Sequence, residues 1–179
     1  MNACEQTKGL SVLQHGASVW EYFEDLHGHL KYGKPLKYEW RLPEWIHAPW
    51  LMENLLPIKI IREYLVYHDC GKPFCRTVDE DGRHHFPDHA RISEETWNSV
   101  GGHPVAARLM GMDMDIHLLK GDGVPEFAAR PEAATLLMAG LAEVHSNANM
   151  FGGIESQSFK MKWKQINRRG KRIVGKNSK

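Results

Sequence analysis

Apolar residues recur at helical spacing in several stretches of the chain, separated by segments rich in glycine and proline. Residues 10–30 form the first such stretch and predict a helix, with Ser11 as its N-cap. His15 lies one turn before Val19 and therefore falls on the apolar side of this helix. The apolar face comprises Val12, Val19, Phe23, Leu26 and Leu30.

A second helix is predicted between residues 55 and 69. Pro57 suits its first turn, and the signals that end it are Gly71 and Pro73. Residues 31–50 hold three prolines and three tryptophans, which favours a loop or short turns over a long helix. The apolar stripe of the second helix comprises Ile58, Ile61 and Leu65.

The pattern in the rest of the chain predicts further helices and one short segment with the pattern of β-strands. Asp81-Gly82 lies between short β-favouring pieces, which indicates a β-hairpin near residues 76–86. Helical pieces follow at 89–100 and 103–111, and a long helix is expected over 131–151. The predicted fold is therefore all-α, mainly a helical bundle, with one short hairpin.

Composition places the chain among soluble globular proteins. Of its 179 residues, 42% are hydrophobic and 25% charged, and no apolar run reaches the length of a membrane span. The N-terminus lacks the order of a secretory signal. Three cysteines, Cys4, Cys70 and Cys75, cannot pair evenly, which favours a reducing compartment. We expect a cytoplasmic protein that has no membrane association and is compatible with an oligomer.

Charge divides the chain unevenly. Residues 156–179 hold nine lysines or arginines and no acid, whereas residues 1–155 hold 14 bases against 22 acids. We therefore expect a domain over 1–155 and a basic helix or tail over 156–179, packed on the domain or trailing from it. Phe159 and Trp163 lie four residues apart among these lysines. The basic segment is either a solvated tail or a surface for phosphate or nucleic acid.

Residues 64–93 contain four histidines and four aspartates, which points to a metal site. The pair His68-Asp69 ends the second predicted helix, and imidazole nitrogen with carboxylate oxygen suits a first-row divalent ion. Such a dipeptide is a weak signal alone. Other parts of the chain supply further candidate ligands, namely His15, His89, His117, and Glu143 or His145.

This order of residues resembles the HD-domain superfamily of metal-dependent phosphohydrolases. The segment "HDCGKPFCRTVDEDGRHHFPDHARIS" is similar to the HD domain of bacterial tRNA nucleotidyltransferases, with its HDxGKP motif followed by a hairpin and a later histidine. The resemblance implies an HD-type helical bundle in which His15, His68 and Asp69 are metal ligands. It also implies that His89 binds a second metal or a phosphate, with His85 as a weaker substitute. His117 would have the same role as His89.

The sequence departs from this family at two positions. The family closes its metal site with an aspartate on a late helix, whereas "LMAGLAEVHSNANMFGG" contains none, so Glu143 is assigned as fourth ligand. The alternatives for this ligand are His145, Asp113 and Asp115. Nucleotidases of the superfamily carry a glutamate three residues after the aspartate, where this chain has Lys72. A lysine there suits holding a substrate phosphate.

The predicted activity is hydrolysis of phosphate mono- or diesters of nucleotides or nucleic-acid ends, with 2′-phosphate or 2′,3′-cyclic phosphate chemistry among the candidates. A divalent ion (Mn²⁺, Co²⁺, Ni²⁺, Mg²⁺ or Zn²⁺) would lower the pKa of water towards about 7, and one ion is favoured over two. The alternatives are a non-catalytic nucleotide- or RNA-binding module and a structural zinc module. The catalytic candidates are Asp69, Lys72, His89 and His117, and the substrate-binding candidates are Arg76, Lys120, Trp45 and Trp50.

Overall fold

The structure, a computed structural model, describes residues 1–7 and 9–177. Ser178 and Lys179, which end the predicted basic segment, lie outside this part. Two compact units share the chain: Met1–Ser18 with Pro57–Met114, and Val19–Leu56 with Asp115–Lys179. The described part is mainly helical, which confirms the predicted fold class.

Most of the helices and strands follow one another with short connections, and the longest of these early in the chain runs over residues 33–43. Short 3-10 helices lie at Glu44–His47 and Ala148–Phe151. The remaining elements are β1 (Glu5–Thr7), β2 (Leu10–Ser11), α1 (Val12–Tyr32), α2 (Pro49–Glu53), α3 (Ile58–Tyr67), α4 (Lys72–Cys75), β3 (Thr77–Val78), β4 (His84–His85), α5 (His89–Ser99), α6 (Pro104–Gly111), α7 (Asp115–Leu118), α8 (Val124–Ala128), α9 (Ala133–Ser146) and α10 (Gln157–Asn177).

Helix α1 begins at the predicted N-cap. The Gln14 N–H donates to Ser11 Oγ at 3.2 Å, and the Ser11 N–H donates to Gln14 Oε1 at 2.9 Å. This reciprocal capping box satisfies two backbone donors that the first turn leaves without helical partners. The helix ends at Tyr32, and the Gly33 that follows has a φ of 64°, the left-handed conformation that glycine adopts readily. Strands β1 and β2, which pair immediately before α1, were not predicted.

A glycine lets α1 approach α3 closely in the first unit. A Cβ at Gly16 would lie 2.2 Å from the backbone oxygen of Val66, so only glycine allows this contact. Helix α3 buries Ile61, Tyr64 and Leu65. Ile58 is 39% exposed, so its assignment to the apolar stripe was wrong; the first turn of α3 leaves this side chain at the surface.

The predicted hairpin is confirmed in the first unit. Val78 pairs with His84 and Thr77 with His85 in an antiparallel ribbon, and Gly82 has a φ of 77° in the connecting turn. Asp79 closes the turn, because its Oδ1 accepts the N–H groups of two turn residues, those of Asp81 and Arg83.

The second unit contains α9, whose side chains are buried except for those of Glu143 and Ser146. Most of its residues are apolar, but it is only 14 residues long. No helix in the described part of the chain has the length and apolar character needed to cross a membrane.

The basic segment forms helix α10, which has a buried face. Trp45 lies against Gly170, where a Cβ would be 2.3 Å from the indole, and its Nε1 donates to Asn167 Oδ1 at 3.1 Å. Most of the other positions of α10 are polar or basic, so it is an amphipathic helix of the second unit. The buried residues of α10 are Phe159, Ile166, Gly170, Ile173 and Val174.

Candidate metal centre

Helices α1 and α3 bring three predicted ligands together in the first unit. His15 is in the first turn of α1, and His68 and Asp69 directly follow α3. Each of the three is no more than 2% exposed. One ligand atom from each lies within 4.8 Å of those of the other two, which is close enough for all three to bind one ion. The close approach of α1 at Gly16 permits this convergence.

The hydrogen bonds of two histidines determine which ring nitrogen faces Asp69. His68 Nδ1 lies 2.8 Å from the Leu65 carbonyl oxygen, and His89 Nδ1 lies 3.1 Å from that of Phe86. Because a carbonyl oxygen only accepts, each Nδ1 carries a proton. A neutral ring therefore presents an unprotonated Nε2 towards the carboxylate.

These Nε2 atoms lie near opposite oxygens of one carboxylate. His68 Nε2 is 3.3 Å from Asp69 Oδ2, and His89 Nε2 is 3.7 Å from Asp69 Oδ1. A lone pair facing a carboxylate oxygen is repulsive unless a positive charge lies between them. That charge is either a proton on the ring or a bound cation. Backbone carbonyls that fix the imidazole tautomer are a common feature of histidines that bind metal ions.

Asp69 has a buried carboxylate, one oxygen of which can still bind a partner. Its Oδ1 is buried and accepts no hydrogen bond from the part of the chain that the structure describes. Burial alone raises the pKa of Asp69, but the charge and hydrogen bond of a protonated His68, together with the charge of Lys72, outweigh burial and hold the pKa well below its usual range. The carboxylate is therefore ionised, and a buried anionic oxygen without a donor is costly unless a cation binds it. The residues thus fit a divalent ion.

Lys72 already places one positive charge at this centre. Its Nζ lies 2.6 Å from Asp69 Oδ2 and 2.8 Å from Gln6 Oε1. The same ammonium lies 5.3 Å from the centre of the Phe86 ring. Lys72 is buried in this position, so its charge is shielded little by water. Oδ2 of Asp69 is consequently shared with a lysine, whereas Oδ1 is open to another cation.

The first unit also supplies an acid beside His68. Asp113 follows α6 and is 6% exposed, and one of its carboxylate oxygens lies within 4.8 Å of a His68 ring nitrogen. The Tyr64 hydroxyl donates to Asp113 Oδ1 at 2.5 Å, which orients the carboxylate. Asp113 was an alternative for the fourth ligand, and within this unit it is the acid with the suitable position.

The predicted fourth ligand, Glu143, lies in the second unit on α9. Its Oε2 is 2.8 Å from Nε2 of His117, and both side chains are nearly one quarter exposed. The structure thus brings together two residues that were predicted for different roles. The assignment of Glu143 as a metal ligand stays a prediction.

Two alternatives for the fourth ligand have other partners in the second unit. Asp115 accepts a hydrogen bond from Arg130 Nη1 at 2.5 Å. His145 Nδ1 donates to the Leu141 carbonyl at 2.8 Å, and its Nε2 accepts the Arg41 N–H at 3.1 Å. Both ring nitrogens of His145 are therefore used by the backbone. His145 has no nitrogen left for a metal ion.

The remaining candidates lie at varied positions. His85, the weaker substitute for His89, pairs with Asp79 in the exposed hairpin at 2.7 Å. Arg76 is exposed after α4, and Trp50 is half-buried in α2. Lys120 is exposed and lines a cavity of the second unit. Trp45 is buried by its contact with α10, so that packing covers the ring that was predicted to hold a nucleotide.

Sequence reasoning missed three residues of the centre. Gln6 and Phe86 lie beside Lys72, and nothing in their local pattern signals this role. Tyr64 lies one helical turn before His68, so helical spacing could have indicated that it faces the same centre. Comparisons of the chain with protein-family models, with curated proteins and with solved structures found no match.

Proposed function

We propose that the chain is a metal-dependent phosphohydrolase that cleaves phosphate esters of nucleotides or nucleic-acid ends. The observation that carries this proposal is the buried group of His15, His68 and Asp69, with an ionised carboxylate whose Oδ1 accepts no hydrogen bond from the described residues. The resemblance of "HDCGKP" and its flanking histidines to HD-domain phosphohydrolases supports the choice of reaction.

A divalent ion held by these three residues, with Asp113 as the fourth ligand in the same unit, would acidify a water molecule to a pKa of about 7. Hydrolysis of the ester forms one phosphorus–oxygen bond to the water oxygen and breaks the bond to the ester oxygen, which leaves with a proton. In this proposal Asp69 would bind the ion through its carboxylate, and Oδ1, which accepts no hydrogen bond from the described residues, would also orient the water.

The positive charges that stabilise the phosphate come from the same unit. Lys72 Nζ is buried beside Asp69 and can donate to a phosphate oxygen in exchange for one of its present bonds. The side chain of His89 is 19% exposed, and its Nε2 faces the Asp69 carboxylate. A protonated His89 can therefore donate a hydrogen bond to the same substrate phosphate. The role of His117 at the phosphate stays a prediction.

The test compares metal content and turnover in matched variants. Wild type and His68→Ala are purified without chelator, their metal is measured by elemental analysis, and a panel of phosphate esters is assayed with Mn²⁺, Co²⁺, Ni²⁺, Mg²⁺ and Zn²⁺. His85→Ala is the control, because it removes a histidine of the exposed hairpin. We expect His68→Ala to lose both metal and turnover and His85→Ala to retain them.

Asp113→Asn and Glu143→Gln separate the two candidates for the fourth ligand. Loss of bound metal in Asp113→Asn alone would assign the ligand to the first unit. Equal metal content in wild type and His68→Ala would refute the metal centre. Bound metal without turnover of any ester would refute the hydrolase and leave a non-catalytic binding module or a structural metal site, which loss of fold on chelation would identify.

A further inference from the structure

A cavity in the second unit is lined by cations. It has a volume of about 390 Å³ and lies between α10 and the segment from α7 to α8. A second cavity, of about 620 Å³, shares Gly121, Val124 and Arg172 with the first. Lys171 and Lys176 line only the second cavity. The basic residues of the first cavity are His117, Lys120, Arg168, Arg169 and Arg172.

One of these arginines is hydrogen-bonded to the backbone, and another lies against it. Arg169 Nε donates to the Leu119 carbonyl oxygen at 3.0 Å. Arg172 Nη1 lies against Gly121, where a Cβ would be 2.6 Å away. The bare backbone at Gly121 therefore provides the space for this guanidinium. Both arginines reach the wall formed by the segment between α7 and α8.

Carboxylates do not neutralise this group of arginines. Within residues 1–7 and 9–177, Arg168, Arg169 and Arg172 form no ion pair with an acid. Two acids of this unit have other contacts: Glu143 pairs with His117, and Asp122 Oδ1 accepts the N–H of the next residue.

The arginines also repel one another. Burial, followed by the charge of Arg168, lowers the pKa of Arg169. A half-buried guanidinium beside another one costs free energy in the absence of an anion. Binding of an anion would relieve this repulsion, and a guanidinium binds two phosphate oxygens in a planar fork.

The positions of the cations indicate the shape of the ligand. Arg168, Arg172 and Lys176 are spaced four residues apart, so their Cβ atoms follow one row along α10 at intervals of about 5–6 Å. This row runs from the first cavity into the second. Such a row fits several linked phosphates better than one isolated anion.

We propose that these two cavities bind a ligand with adjacent phosphate groups, either a single nucleic-acid strand or a nucleoside polyphosphate. The site contains no residue of the His15, His68 and Asp69 group. It therefore stands whether or not the chain hydrolyses phosphate esters.

The test uses two charge-matched pairs of substitutions on α10. Arg168→Gln with Arg172→Gln removes two cations of the cavity, and Lys162→Gln with Lys164→Gln removes two exposed cations that line neither cavity. The probe is a fluorescein-labelled single-stranded DNA with hydroxyl ends, which is not a substrate of the proposed hydrolase. Binding is followed by fluorescence anisotropy over a series of salt concentrations, and circular dichroism checks that both variants are folded.

Each phosphate contact contributes about 0.7 to the slope of log affinity against log salt for single strands. Loss of two contacts should therefore reduce the slope by about 1.4 and weaken binding about 25-fold at about 0.1 M salt. The lysine pair should keep the wild-type slope. Competition with ATP and with unlabelled strand distinguishes the sources, since displacement by ATP identifies nucleoside phosphates and displacement by the strand alone identifies the polymer.

Two results would overturn the proposal. One is an equal loss of affinity for the strand in the arginine pair and the lysine pair, which would mean that binding depends on the total charge of α10 and not on the cavities. The other is a wild-type protein that binds neither the strand nor ATP. Metal content and ester hydrolysis are measured separately on His68→Ala, so failure of this proposal and failure of the proposed hydrolase are distinguishable.

Discussion

His145 makes the stability of the second unit depend on pH. The ring is fully buried between Trp40 and Phe159, with ring centroids 4.5 Å and 5.2 Å away. Burial lowers the pKa of His145 to about 4, only partly opposed by the hydrogen bond to the Leu141 carbonyl. In the folded protein the ring is therefore neutral at pH 7. In the unfolded chain its pKa returns to about 6.5.

The sign and size of the effect follow from these two values. As pH falls below about 6.5, the unfolded chain takes up a proton that the folded protein excludes, so acid favours unfolding. A tenfold change in proton affinity corresponds to about 1.4 kcal/mol, so His145 lowers the free energy of unfolding by about 2 kcal/mol at about pH 5. The loss reaches about 3 kcal/mol below about pH 4, where the folded protein also binds the proton.

His145→Gln tests this reasoning, because glutamine can keep one donor for the Leu141 carbonyl and one acceptor for the Arg41 N–H without taking up a proton. Urea denaturation is followed by circular dichroism at pH 7 and pH 5 for wild type, His145→Gln and His47→Gln, the last removing an exposed histidine of the same unit. Wild type and His47→Gln should lose about 2 kcal/mol more than His145→Gln on acidification. An identical pH dependence in wild type and His145→Gln would refute the buried neutral ring.

Two further predictions concern α1. Gly16→Ala should destabilise the protein by about 1–3 kcal/mol and weaken metal binding, because its Cβ would meet the Val66 carbonyl and move α1 away from α3. Gly28→Ala is the control, because its Cβ meets only the flexible Lys34 side chain, and it should stabilise α1 by up to about 1 kcal/mol. Similar urea midpoints for the two variants would contradict the close approach of α1 to α3 at Gly16. Ser11→Ala should lower the free energy of unfolding by about 1 kcal/mol through loss of the capping box, whereas Ser11→Thr should retain most of that stability. Equal stability of Ser11→Ala and wild type in urea denaturation would show that the cap contributes nothing.

Local sequence signals were sufficient for the main helices and the hairpin. Ser11 and Gln14 form their cap from residues three apart, and Asp81-Gly82 makes its turn within a few residues. Such features depend on neighbours along the chain, so a periodic pattern and a turn signal predict them. The same holds for the adjacent pair His68-Asp69, which was recognised from its position at a helix end.

Contacts between distant residues required the tertiary structure. Lys72 was assigned to a substrate phosphate, and only the folded chain shows its ammonium on Asp69 and Gln6. His145 is a plausible ligand in the sequence, but the Arg41 N–H, 104 residues away, occupies its Nε2. The residues next to a hydrogen-bond acceptor in the sequence do not reveal its donor, because the packing of distant segments decides which donor reaches it.

The sequence alone determined the helical architecture, the hairpin and the set of residues from which a metal centre could be built, because these follow from periodicity, turn chemistry and side-chain type. Tertiary structure decided which members of that set meet. Gly16 carries no chemistry of its own, yet its missing side chain lets His15 approach His68. The tertiary structure also brings Arg168, Arg169 and Arg172 together with Lys120 around one cavity. This happens because α10 packs against a segment that lies about fifty residues earlier in the chain.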